Sequence, residues 1–330
     1  MHIVVTGSIA TDYLMVFPGR FAEQIIPDQL ANLSLSFLVE DLAIRRGGAA
    51  ANIAFNLGCL GLAPVLVGAV GADFAEYGQW LSAHGVDISA VHTSQTRHTA
   101  RFLCTTDADQ NQIASFYAGA MTESRDIELA PIVDRVGAAD LVVVGPSDPA
   151  AMLRHTRECR DRGYRFAADP SQQLSTLDGE AIKHLVEGAT YLFTNTYERG
   201  LLERKTGWSE ADILARVEVL VTTRGAKGVT VQRPGEPMIS VAPPQERCKA
   251  DPTGVGDAFR AGFLAGVAWG VGDERAAQLG CTLATLVIES VGTQEHEFDP
   301  ETFLERLREA YGPDSAADVA DHVRESHLHR

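Results

Sequence analysis

The stretch Ala250-Asp-Pro-Thr-Gly-Val-Gly-Asp-Ala-Phe259 sets two glycines and an aspartate at the head of an apolar, helix-forming run that reaches Trp269. The first N–H groups of a helix have no intrahelical partner, and glycine lets a ligand approach them closely. Gly254, Val255, Gly256 and Asp257 therefore read as an anion hole backed by the helix dipole. A carboxylate in such a hole is awkward for simple phosphate binding. It makes chemical sense when an alcohol must lose a proton as it attacks phosphorus: Asp257 accepts the proton as general base, and the amides of Gly254 and Gly256 help take up charge on the transferred phosphoryl group. The plainer alternative is an N-capping aspartate with glycines that merely make the turn.

A second motif, Gly47-Gly-Ala-Ala-Ala-Asn-Ile-Ala-Phe-Asn-Leu-Gly-Cys-Leu-Gly61, opens on paired glycines and carries Asn52 in the first turn of a helix. There the amide can bond a hydroxylated ligand; tight packing through small residues is the alternative. The two motifs together resemble the signatures of the ribokinase-like (PfkB) family of carbohydrate and nucleoside kinases, and the resemblance covers essentially the whole chain. Pro252 stands where that motif commonly has threonine and removes one N–H donor, but the donors later in the loop remain. Within the family, "TGSIATDYLMVFPGRF", "SLSFLVEDL", "TARFLCTTDADQNQIASFYAGAM", "FAADPSQQL" and "DPTGVGDAFRAGFLAG" resemble the actinobacterial type of adenosine kinase.

The resemblance implies an ATP-dependent transfer to the 5′-hydroxyl of adenosine and a set of roles. Asn195 and Glu198 match an N-x-x-E element that organises Mg²⁺ through water, although both residue types also cap helices. Thr223, Gly225, Val255 and Gly256 match nucleotide contacts, although "TTRGAKG" alone reads as a hairpin turn. Asp251, Thr253, Ser290 and Gly292 match a carbonyl-rich site for a monovalent cation such as K⁺. Asp12, in "TGSIATD" at the end of the first strand, matches the residue that binds vicinal hydroxyls, with Gly48 and Asn52 completing the clamp; turn formation is its alternative. Phe102 and Phe116 are expected to face one another across a flat base, or simply to form a small lid core. Ser8, Ser36, Gln172 and Gln173 offer polar groups to the ligand. Similar enzymes form homodimers through their lids. A sugar kinase and a catalytically silent nucleoside-binding protein are the competing readings.

Positioning these groups requires strands that end near one another. Continuous apolar runs ("HIVVTG", "PVLVGAVG", "ADLVVVGP", "YRFAADP", "TYLFTN", "EVLVTTRG") alternate with helical ones ("AANIAFNLGCLG", "DFAEYGQWLSAHG", "PAAMLRHTRECRDRG", "EAIKHLVEGA"). This rhythm predicts a mainly parallel sheet covered on both faces, a three-layer α/β/α fold of the ribokinase-like type within one domain spanning 1–330. Residues 13–45 and 97–117 break the rhythm. The latter reads as a hairpin around "TDADQN", and the two segments are expected to pair into a small β-sheet lid.

Composition narrows the function further. The chain has 330 residues, 45% apolar and 22% charged, with no apolar run long enough for a membrane span. The N-terminus has no signal-peptide pattern, and a cytoplasmic location is expected. The net charge of −16 argues against a nucleic-acid-coating surface. Five scattered cysteines suggest neither a disulfide framework nor zinc. G-x-x-x-x-G-K-[ST] is absent and no G-x-G-x-x-G follows the first strand, which disfavours a P-loop enzyme and an NAD-dependent dehydrogenase.

Overall fold

The computed structural model describes residues 1–25 and 34–325, so residues 26–33 of the expected lid lie outside the described residues. The main sheet has nine strands, in the spatial order β13 (Ile239–Val241), β12 (Val229–Gln232), β11 (Val219–Thr223), β10 (Tyr191–Asn195), β9 (Phe166–Ala168), β8 (Leu141–Val144), β1 (Ile3–Thr6), β4 (Val65–Val70) and β5 (Val91–Thr93). Neighbours from β11 to β5 are parallel, whereas β12 and β13 return antiparallel at one edge.

Successive residues of a strand point to opposite faces, so strands apolar at every position feed two cores. Ile3, Val5, Leu141, Val143, Phe193 and Val221 pack with helices Ala49–Cys59, Val255–Trp269, Asp273–Ile288 and Pro300–Tyr311. Val4, Val142, Val144, Leu192 and Leu220 face the other way, against helices Pro149–Arg162, Gly179–Val186 and Thr196–Thr206. This is the expected ribokinase-like three-layer arrangement. No helix among the described residues is long and apolar enough to cross a membrane.

The segments that break the α/β rhythm form a four-stranded sheet, in the order β3 (Asp41–Gly47), β2 (Ala10–Val16), β6 (Ala100–Thr106) and β7 (Gln112–Tyr117). The β6–β7 turn is tied by Asp107, whose carboxylate accepts the N–H groups of Asp109, Asn111 and Phe21. Register fixes which residues share a face of this lid. Asp12 pairs with Arg45 and with Phe102, and Phe102 pairs with Phe116, which puts all four on the face turned toward the main sheet's helices. The other face carries Tyr13, Met15, Leu42, Ile44, Leu103 and Ile113. Leu42 is 51% exposed and Ile44 55%.

Candidate active site

Helix Val255–Trp269 begins without a side-chain cap; its N-cap is Gly254 at φ 76°. A Cβ at Gly254 would lie 2.9 Å from the side chain of Thr293, so left-handed backbone and close approach both require glycine there. The Val255 N–H has only a long 3.5 Å contact with the Pro252 carbonyl, and the first full bond of the turn runs from the Ala258 N–H to the Gly254 carbonyl at 2.9 Å. The amides of Gly256 and Asp257 precede it and are left for a ligand.

Asp257 does not cap this helix. Its Oδ2 accepts a 2.8 Å hydrogen bond from the side-chain amide of Asn52, which the other glycine-rich motif delivers from helix Ala49–Cys59. Gly48, at φ 94°, starts that helix, and a Cβ there would lie 2.6 Å from the Ser8 carbonyl and the Ala10 nitrogen. Burial pushes the Asp257 carboxyl up to about 6; Arg260 and the Asn52 bond pull it down, and the charges of Asp169 and Glu198 push it up again. An acid so placed is mostly ionised at neutral pH yet still basic enough to accept a proton. Asp12 is likewise raised to about 6, by burial and then by the negative charges of Asp251 and Asp257. It lies on β2 in the lid sheet rather than at the end of β1, because the chain turns after Thr6 and starts a new strand at Ala10.

Beneath the loop lies a buried ion pair. Arg260 is one helical turn past Asp257; its Nη2 donates to Asp169 Oδ1 at 2.6 Å, its Nε lies 2.5 Å from Asp169 Oδ2, and its Nη1 donates to the Gly256 carbonyl at 3.0 Å. The guanidinium thus braces the backbone of the Gly254–Asp257 turn and places positive charge behind Asp257. Neither Asp169 nor Arg260 stood out in the sequence. The i, i+3 spacing of Arg260 from Asp257 was the available clue.

Asn195, Thr223, Gly225, Val255 and Gly256 line one cavity of about 370 Å³. Its remaining wall includes Phe259, Ala284 and Ile288, an apolar surface suited to a flat ring, and Lys249 stands at its edge. The Arg224–Gly228 turn is a genuine β11–β12 hairpin turn and lines this cavity as well. Asn195 and Glu198 form a capping box, with the Glu198 N–H donating to Asn195 Oδ1 and the Asn195 N–H to Glu198 Oε2, both at 2.8 Å. Burial raises the Glu198 carboxyl, and the charge of Arg260 opposes that shift. Among the described residues no group of three or more His, Cys, Asp or Glu could cage a metal. A single carboxylate reaching a cation through water, with phosphates supplying the other oxygens, is the arrangement these residues fit.

Asp251 holds two of the other three expected monovalent-cation residues by its own bonds: Oδ1 accepts from the Thr253 N–H at 2.9 Å and Oδ2 from the Gly292 N–H at 3.0 Å. Ser290 turns its hydroxyl back to the Val287 carbonyl.

Other expected contacts are arranged differently. Phe102 and Phe116 are direct cross-strand partners, so their side chains leave the same face of the lid as one wall rather than opposing one another across a ligand. The Ser8 hydroxyl accepts the Ala49 N–H at 3.0 Å and serves the start of helix Ala49–Cys59. Gln173 is committed to the Ser147 carbonyl and Thr176, and Gln172 is exposed with its side chain bonded by Ser171. Ser36 is exposed, and no hydrogen bond joins it to the site among the described residues.

The model of the pfkB family of carbohydrate kinases matches residues 8–299. The chain belongs to this family. The kinase is 30% identical over 307 residues to a nucleoside kinase of Methanothermobacter thermautotrophicus, covering 91% of this chain and 97% of that one. Its fold resembles the nucleoside kinase of Burkholderia thailandensis solved in complex with inosine, with a TM-score of 0.83 and 35% identity over 94% of this chain and 98% of the other. The nucleoside kinase of Methanocaldococcus jannaschii gives a TM-score of 0.81 at 26% identity, covering 93% of the kinase and 98% of its counterpart.

Proposed function

We propose that the kinase transfers the γ-phosphoryl group of ATP to the 5′-hydroxyl of a nucleoside, with adenosine as its preferred acceptor, giving AMP and ADP. The observation that carries this reading is the pairing of a partly desolvated carboxylate, Asp257, with ligand-free amides at the same helix start, beside a cavity shaped for a nucleotide. Asp257 takes the hydroxyl proton. The amides of Gly254 to Asp257 hold the phosphoryl oxygens, with Arg260 fixing the Gly256 carbonyl behind them. Mg²⁺, met by Glu198 through water, would neutralise phosphate charge; the loops that Asp251 ties together through the N–H groups of Thr253 and Gly292 would offer backbone carbonyls to K⁺. Asp12 offers its carboxylate to the ribose diol.

A nucleoside is favoured over a free sugar by the aromatic wall of Phe102 and Phe116 on the same lid face as Asp12, which gives a base something to stack upon. Inosine-bound and archaeal nucleoside kinases are among the similar proteins, and the stretches quoted above from the lid and motifs favour adenosine within that class. With Mg-ATP and a panel of adenosine, guanosine, inosine, ribose and fructose, ADP release is expected to show the highest kcat/KM for adenosine and values at least roughly 100-fold lower for the sugars. Faster turnover of ribose or fructose than of any nucleoside would overturn the acceptor assignment.

The exposed apolar lid face supports a homodimer formed through it, since isolated sheets rarely leave such a surface uncovered. In solution the 35.5 kDa chain is expected to sediment as a dimer, and Ile44→Asp to sediment as a monomer. A wild-type monomer at micromolar concentration would rule this out.

A further inference from the structure

A hydrogen-bonded chain runs through the interior from the lid to Asp257. The Tyr77 hydroxyl donates to the carbonyl of Gly47, the last residue of β3, at 2.9 Å. Gln294 Nε2 donates to the Tyr77 oxygen at 2.6 Å and to Asn52 Oδ1 at 2.9 Å, and Asn52 Nδ2 donates to Asp257. Gln294 is 1% exposed, Asn52 4% and Tyr77 5%.

The order of donors and acceptors along this chain follows from its two ends. An ionised Asp257 only accepts, so Asn52 must present its NH₂ group there and turn its oxygen to Gln294. Gln294 must then present its own NH₂ group, and Tyr77, which receives one of those hydrogens, passes its proton to the Gly47 carbonyl, an acceptor only. Burial holds the Tyr77 phenol far above its usual range, so it remains a donor at any working pH. Reversing the amide of Gln294 would set two oxygens against each other at Asn52 and leave the Tyr77 oxygen without its donor.

We propose that Gln294 and Tyr77 are positioning residues that lock the Asn52 amide with its NH₂ group on Asp257. The inference rests on the assignment of Asp257 as base. Gln294 touches neither the cavity nor the free amides. Its side-chain hydrogen bond toward the site is the one to Asn52. The other charged groups acting on Asp257 are Arg260, Asp169 and Glu198, with Asp12 coupled to it across the site; none of them belongs to the chain from Gly47 to Asn52.

The test is the pH profile of kcat at saturating ATP and acceptor, which reads the bound state, for wild type, Gln294→Leu and Gln294→Glu, with melting temperature and the KM for ATP measured alongside. Wild type should lose activity as pH falls through the Asp257 value of about 6, because the base must be ionised. Gln294→Leu frees the Asn52 amide to turn its oxygen toward Asp257. It should move the acid limb up by roughly 0.5–1 unit and so lower kcat at pH 7 by about twofold or less, with a larger loss near pH 6 and KM for ATP unchanged. Gln294→Glu competes for the Asn52 NH₂ group and should move the limb at least as far. An unmoved limb in folded Gln294→Leu overturns the proposal, whether or not kcat has fallen. If Gln294→Leu does not fold, Tyr77→Phe carries the same test: an upward shift supports the inference and none refutes it. Retention of activity by Asp257→Asn would instead refute the base assignment, so the two failures are distinct.

Discussion

Replacing Asp257 with asparagine should lower kcat by about 10³-fold, within the range general-base removal commonly produces. The substitution preserves shape and leaves Gly254, Gly256 and their amides in place, so the KM values for ATP and nucleoside should change by less than about threefold. A second consequence has the opposite sign. Burial raises the Asp257 carboxyl from 3.8 to about 6 in the folded chain, so the native state resists its ionisation. For an acid shifted upward, the associated stability is present at low pH and is lost as pH rises through the window from 3.8 to about 6. At pH 7.5 Asp257→Asn removes that burden, and the inactive protein should melt at least as high as wild type. Turnover by Asp257→Asn within tenfold of wild type would show that another group takes the proton.

The largest stability effect is expected at the pair beneath the loop. Asp169→Ala leaves the Arg260 guanidinium buried without its partner, and breaking a buried pair in this way costs about 3–5 kcal/mol. Melting should fall by roughly 5–10 °C. Removing both charges with Asp169→Leu and Arg260→Met eliminates the stranded cation, and much of the lost stability should return. Activity should not return with it. The double variant lacks the donor to the Gly256 carbonyl and the positive charge that holds Asp257 down. If thermal stability and turnover recover together, Arg260 serves the fold alone. A fall in melting temperature below about 1 °C in Asp169→Ala would mean that water reaches the pair easily.

Much of the fold was legible because its signals are local. Apolar strands of three to six residues separated by amphipathic helices specify a covered parallel sheet, and the lid segments announced themselves by departing from that rhythm. Apolar runs do not encode strand direction; the hairpin reading of "TTRGAKG" was the signal for the antiparallel return of β12, and that of β13 was not foreseen. The helix start with its unbonded amides was legible for a similar reason: Gly254, Gly256 and Asp257 lie within four consecutive residues, and the backbone they form follows from residue type at a helix start. Contacts that depend on register or on distant pairing were not. Phe102 and Phe116 stand on one wall because of how β6 meets β7. Asn52 meets Gln294 across 242 positions and Asp169 meets Arg260 across 91, with no periodicity to betray either pair.

The alternation of β2 has a mechanical consequence. Asp12 projects from one side of the strand, while Tyr13 and Met15 project from the other, a single residue away along the same backbone. Whatever covers the greasy outer surface therefore also stiffens the ribbon that carries the Asp12 carboxylate. In the proposed dimer, affinity for the acceptor would thus depend on self-association, and dilution alone would loosen the enzyme's grip with no change inside the pocket.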